Sequence, residues 1–178
     1  MILKNKKAFT LIEVIIVITI ISILTLLGFV PYDFYSNVSK VRISKEIIDQ
    51  TFNEAFLNSN SVIDKVSKKN LNIGILMEKQ SHEYKILSFP FNHTGSISET
   101  VSGAKLLRTI KLEDGVNINK ITVDGTESSS GVIFYFRSPD GEMDIYRNET
   151  LTGSNSEITV GYGKSIDGIL SKIIKIPN

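Results

Sequence analysis

Residues 4–30 read KNKKAFTLIEVIIVITIISILTLLGFV, and the reading of that stretch decides how the rest of the chain is held. From Phe9 to Val30 it is a run of 22 residues in which Glu13 is the one charge, with Thr10, Thr19, Ser22 and Thr25 as mild polar interruptions. A helix rises about 1.5 Å per residue, so the run is about 33 Å long, which matches the roughly 30 Å hydrocarbon core of a bilayer. Lys4, Lys6 and Lys7 precede it with no acid among them. Such a basic leader is expected to stay cytoplasmic and to put everything after the span outside. A cleaved secretory signal needs a shorter apolar core and a small-x-small site. This run instead closes on LLGFVPYDFY.

Glu13 sets the run apart from a plain uncleaved anchor. An ionisable side chain inside a span costs about 3 kcal/mol near the helix centre and marks a functional position by default. It stands four residues after Phe9, about 6 Å along the axis, so snorkelling to the interface softens the cost and energetics alone leave the plain anchor open.

The wider pattern separates the two. KKAFTLIEV, residues 6–14, closely resembles the processing site of type IV prepilins and pseudopilins: a basic leader, a small residue, then Phe-Thr-Leu-Ile-Glu-Val and an apolar helix. The resemblance implies that a membrane aspartyl peptidase, the prepilin peptidase, cuts between Ala8 and Phe9 and methylates the new amine of Phe9. It also implies that Glu13, the fifth residue after the cut, neutralises the amine of a neighbouring subunit during assembly. The physics agrees with that role, since a buried carboxylate is tolerated when paired and strongly disfavoured when not. The family usually has Gly where this chain has Ala8, so slower cutting is expected. Removing residues 1–8 takes away three of the 20 basic side chains and none of the 19 acids, so the mature chain has a formal charge of −2.

The implied partners are other pilin or pseudopilin subunits, the prepilin peptidase, an inner-membrane assembly platform and inner-membrane lipid. The implied location is the bacterial inner membrane, crossed once, with the C-terminal domain outside the cytoplasm and the subunit filament-associated after assembly.

The whole chain has 178 residues, 42% of them hydrophobic, and a formal charge of +1. That suits one membrane segment and one modest globular domain, with no basic excess pointing to nucleic acid or an anionic surface. Cysteine is absent, which excludes disulfides, thiolate metal sites and a cysteine nucleophile. His82 and His93 have no partners at ligand spacing. Neither a Ser/His/Asp set nor a phosphate-cradling glycine loop can be assembled from spacing. No enzyme activity, catalytic residue, metal or cofactor is therefore expected.

Past the apolar run, Gly28 and Pro31 are expected to weaken or end the helix. YDFYSNVSKVRISKEIIDQTFNEAFL then resumes helical spacing at Val38, Val41, Ile48, Phe52 and Ala55, and NSNS at residues 58–61 ends it. The rest reads as strands: NIGILME and EYKILSF as a hairpin around KQSH, LLRTIKL leading through EDG into VNINKITV, then VIFYF, MDIY, EITVGY and SKIIKI. Segments 92–104 and 124–131 read as exposed loops. The expected fold is α+β, a long N-terminal helix with a transmembrane first half and an amphipathic second half, packed on an antiparallel β-sheet that it covers on one face. The expected organisation is a leader at 1–8, a transmembrane or filament-core helix at 9–30, its amphipathic continuation at 31–57 and a β-rich domain at 58–178.

Within the pilin group, LEDGVNI and FRSPDGEMDIY are similar in order and spacing to turns of the H-type minor pseudopilins and related minor pilins, though LEDG lacks their proline. That points to a minor subunit of a type II secretion pseudopilus or a type IV pilus. Some minor pilins of this group bind DNA, which is the alternative reading. Phosphate binding needs clustered cations, whereas Lys164, Lys172 and Lys175 gather beside Asp167, and Arg42, Arg108, Arg137 and Arg147 are dispersed. A membrane-anchored domain with no filament role is the third reading. SPDGEMD spaces Asp140, Glu142 and Asp144 like a calcium loop, but it lacks the full ligand series, and a Pro-Asp-Gly turn between strands explains it better.

Overall fold

The computed structural model describes residues 9–61, 71–90, 104–147, 150–153 and 155–177, with backbone alone at 27–31, 61, 152 and 177. Residues 1–8 with Ala8, the stretch 62–70, and His93 within 91–103 lie outside the described residues. The chain divides into two compact units, Met1–Ser36 and Asn37–Asn178.

Helix α1 runs from Leu11 to Ser61 as one element of 51 residues. Gly28 and Pro31 do not end it: a proline removes one backbone bond, and a helix of this length keeps the ladder on either side. Its C-terminus falls in the NSNS stretch, where the Ser59 hydroxyl donates to the Phe56 carbonyl at 2.8 Å and satisfies one of the orphaned acceptors of the last turn.

In the Asn37–Asn178 unit the helix is amphipathic. Val41, Ser44, Ile48, Thr51, Phe52, Ala55 and Ser59 are buried, at intervals of three and four that hold one stripe inward. Val38, expected on that stripe, is only half-buried. Three hydroxyls on the same stripe were not read from the pattern, and two of them fasten the helix to the strands. The Ser44 hydroxyl accepts the Glu113 N–H at 3.1 Å, and Thr51 shares a 2.7 Å hydrogen bond with the Tyr84 hydroxyl.

The described strands are β1 (Asn72–Met77), β2 (Glu83–Phe89), β3 (Lys105–Lys111), β4 (Val116–Val123), β5 (Thr126–Glu127), β6 (Val132–Phe136), β7 (Met143–Arg147), β8 (Thr150–Gly153), β9 (Asn155–Tyr162) and β10 (Ser171–Pro177). They form two antiparallel sheets, ordered β3-β2-β1-β6-β7-β8 and β10-β9-β4-β5. The fold is thus α+β with antiparallel sheets, as expected, but the expectation of one sheet is corrected to two. The connection between β3 and β4 shows why. Leu112 is buried, its N–H is taken by the His82 carbonyl, and β4 enters beside the β1–β2 turn, where Ile118 bonds Ser81 and Gln80. LEDG therefore carries the chain from one sheet to the other and is not a hairpin turn. Segment 124–131, expected to be a loop, contributes the short β5, which pairs with β4.

Strand β6 is buried at all five positions, which requires a cover on both faces of its sheet. On one face Ile75, Met77, Phe134 and Ile145 meet the helix stripe together with Ile118, Ile121, Ile158 and Val160 of the second sheet. Phe52 packs edge-on against Phe134 and Phe136, at centroid distances of 5.0 and 6.0 Å. On the other face Leu76, Leu87, Phe89, Ile133 and Tyr135 form a second cluster. Gly74 makes that cluster possible: a Cβ there would sit 2.6 Å from the Phe89 ring.

Candidate functional site

The N-terminal turn of α1 is built as a reciprocal cap. The Thr10 N–H and the Thr10 hydroxyl each donate to Glu13 Oε2 at 2.8 Å, and the Glu13 N–H donates back to Thr10 Oγ1 at 3.3 Å. This is the capping-box arrangement, in which a hydroxyl residue and an acid three places on satisfy each other's free backbone donors. Of the residues assigned to processing and assembly, Phe9 is exposed just before this turn, Glu13 lies within it, and Ala8 lies outside the described residues. Thr10 was passed over in the sequence as a mild polar interruption. The signal was present, since Thr-x-x-Glu directly ahead of an apolar run is a helix-start signature.

Beyond the cap, the described helix surface through Leu26 is apolar all round. Ile12, Val14, Ile15, Ile18, Ile21 and Leu24 point in every direction and are all exposed, between 43% and 66%. The hydroxyls that interrupt the run are turned inward on the backbone: Thr19 donates to the Ile15 carbonyl at 2.8 Å, Ser22 to Ile18 at 2.8 Å and Thr25 to Ile21 at 2.7 Å. Each polar group is thereby satisfied within the helix, as an apolar surrounding demands. Among the described residues no helix is long and apolar enough to cross a membrane. Sixteen residues from Leu11 to Leu26 reach about 24 Å, short of the roughly 30 Å of hydrocarbon. The side chains at 27–31, needed for the expected span to Val30, lie outside the described set.

The other candidate sites resolve into structural features. In the β6–β7 turn Arg137 reaches Asp144 at 2.5 Å and Glu142 at 3.3 Å, so two of the three alternate acids face a guanidinium. Gly141 occupies the left-handed region there (φ 70°), and the described residues include no group of three or more side chains able to hold a metal ion. His82 is exposed in the β1–β2 turn. Arg42 pairs with Glu46 at 3.2 Å, Arg108 with Glu54 at 2.7 Å and, of the late lysine group, Lys175 with Glu157 at 3.4 Å.

Against known proteins, a family model described as the prokaryotic N-terminal methylation motif matches residues 3–29. No curated protein and no solved structure gives a match. The matched stretch contains Lys4, Lys6 and Lys7, Ala8, Phe9, the Thr10–Glu13 cap and the apolar helix up to Phe29.

Proposed function

We propose that this chain, opening on a prokaryotic N-terminal methylation motif, is a minor pilin or pseudopilin: a non-enzymatic subunit held in the inner membrane and drawn into a filament. On this reading the prepilin peptidase separates Ala8 from Phe9 and methylates the Phe9 amine, and Glu13 then meets the amine of a neighbouring subunit. The observation that carries the reading is the surface of the helix behind the cap. From Val14 to Leu26 every polar side chain bonds to the helix's own backbone, so what is left to face outward there is hydrocarbon on all sides. A helix of that kind needs lipid, or the packed helices of other subunits, around its whole circumference. The precursor occupies the first and the filament supplies the second.

The finer assignment is to the H-type minor subunits of a type II secretion pseudopilus or the related minor pilins of a type IV pilus. It is supported by a helix followed by the β1–β2 hairpin, with the 112–115 connection and the 137–142 turn after it in that order. The division into leader at 1–8, membrane or filament-core helix at 9–30, amphipathic helix at 31–57 and β-rich domain at 58–178 belongs to the same proposal.

The test is co-expression with a prepilin peptidase, followed by N-terminal sequencing and intact mass of the product. The expected chain begins at Phe9 and carries one added methyl group. A precursor that stays uncut beside a control prepilin processed in the same cells sinks the reading.

A further inference from the structure

The connection between β9 and β10, residues 163–170, turns two isoleucines to solvent and holds them there. Ile166 is 54% and Ile169 63% exposed. The loop is braced against β4 and on itself. The Asn117 side-chain amide donates to the Gly163 carbonyl at 3.3 Å and the Asn119 amide to the Ser165 carbonyl at 2.7 Å. The Gly163 N–H donates to the Gly115 carbonyl at 2.8 Å, and the Ser165 hydroxyl to the Asp167 carbonyl at 3.0 Å. A Cβ on Gly161 would overlap the Ser165 carbonyl, so the loop lies flush on β9. An apolar tip fixed in this way has little left to order when it docks, which favours binding.

The loop stands at the end of the Asn37–Asn178 unit where the chain enters. Lys40, three residues into that unit, holds its ammonium 5.9 Å from the centre of the Tyr162 ring, next to the loop. The β6–β7 turn, by contrast, meets the far end of α1 at Phe56 and Asn60. Ahead of Asn37, Tyr32 and Tyr35 are exposed, and tyrosines at the end of an apolar run favour the headgroup layer. Val30 to Asn37 is seven residues, about 24 Å even when fully extended, so the entry end stays close to whatever membrane the run occupies.

The charges around the isoleucines suit a headgroup layer. Lys164 comes two residues before Ile166 and Lys172 three after Ile169, both exposed, and their long stems let the ammonium groups stay among phosphates while the isoleucines go deeper. Glu113, Asp114 and Asp167 at the same end offset much of the positive charge, so the apolar side chains, not net charge, drive the contact.

We propose that Ile166 and Ile169 dip into the outer surface of the membrane that residues 9–30 occupy, making the β9–β10 loop a second lipid contact of this chain. The contact rests on that membrane placement and involves neither cutting at Ala8 nor the charge of Glu13.

The absence of cysteine allows a nitroxide label to be attached at one chosen position. The full chain carrying Ile166→Cys, Ile169→Cys, Leu24→Cys or Asp140→Cys is labelled and reconstituted into vesicles of phosphatidylethanolamine and phosphatidylglycerol. Collisions of each label with oxygen, which concentrates in lipid, are compared with collisions with a water-soluble nickel chelate. Labels at 166 and 169 are expected to favour oxygen, at a shallower depth than the label at 24, and the label at 140 to favour nickel. Adding Ile166→Asp to the Ile169→Cys chain should shift its label to the nickel side. A label at 24 in lipid with those at 166 and 169 in water overturns the loop contact and leaves the membrane placement standing. A label at 24 in water overturns both. Labels at 166 and 169 shielded from both reagents, in vesicles and in detergent alike, overturn the lipid contact in favour of a protein partner.

Discussion

Thr10 and Glu13 close the first turn of α1 on each other, with both donors of Thr10 on one carboxylate oxygen at 2.8 Å. The acid that interrupts the apolar run thus has a structural partner inside its own chain before any second subunit arrives. The cap and the proposed assembly charge are different demands on one side chain, and substitution separates them. Glutamine at this position still fits a capping box but has no charge. Glu13→Gln is expected to insert and to be cut normally while failing to enter filaments, and Glu13→Ala to lose the cap as well. Filaments that incorporate Glu13→Gln at the wild-type level would remove the charge-pairing role.

Thr10→Ala should leave the charge and weaken the cap. A lost hydroxyl cap costs about 1 kcal/mol, with faster amide exchange confined to the first turn of the helix and Thr10→Ser close to wild type. Unchanged exchange in Thr10→Ala would show that the bonds to Glu13 do not stabilise the turn.

Gly74 is constrained by a side chain and not by its own backbone. Gly74→Ala drives a methyl to 2.6 Å from the Phe89 ring, which is itself fully buried, so the ring has to shift within a packed cluster. Overpacking of this kind costs roughly 1–3 kcal/mol. The melting temperature should fall by several degrees, and Phe89→Leu in the same chain should recover part of the loss.

Tyr84 and Tyr135 make the fold sensitive to alkali. Burial pushes both hydroxyls up to about 12, the Tyr84 shift being moderated by its bond to Thr51 and the Tyr135 shift by Asn72. A folded-state value above the unfolded one means that the native chain holds protons the unfolded chain has released. The corresponding stability is complete below pH 10 and is lost as pH rises from about 10 to 12. Urea titrations at pH 8 and 11 should show that loss, and Tyr84→Phe should reduce it. Equal losses in wild type and Tyr84→Phe would mean that Tyr84 ionises freely in the folded state.

Glu142 and Asp144 at the β6–β7 turn pair with Arg137. Calcium added in millimolar amounts, or removed with a chelator, is expected to leave the melting temperature unchanged. Arg137→Ala should lower the unfolding free energy by about 1 kcal/mol or less, the range for an exposed pair. A calcium-dependent rise of several degrees would reassign the turn.

What could be read along the chain follows from periods shorter than the elements themselves. The helix stripe at Val41, Ile48, Phe52 and Ala55 was legible because a spacing of three and four residues forces those side chains to one side. The alternation in EYKILSF and VNINKITV likewise marked β2 and β4. Thr10 was legible too, by its distance from Glu13. Ser44 and Thr51 were not: a hydroxyl on an apolar stripe is ambiguous until Glu113 and Tyr84, 69 and 33 residues away, supply its partner.

The sequence by itself determined the apolar helix, the three lysines ahead of it, the acid at the fifth place after Ala8, and the alternation of short strands that follows. Each is a local pattern, set by which side chains a helix or a strand turns to the same side. Tertiary structure decided that the strands divide between two sheets, that LEDG crosses from one to the other, and that Ser44 and Thr51 of the helix meet Glu113 and Tyr84. Those outcomes depend on which distant segments can cover both faces of β6, and burial of a shared core, unlike periodicity, is a property of no single stretch of chain.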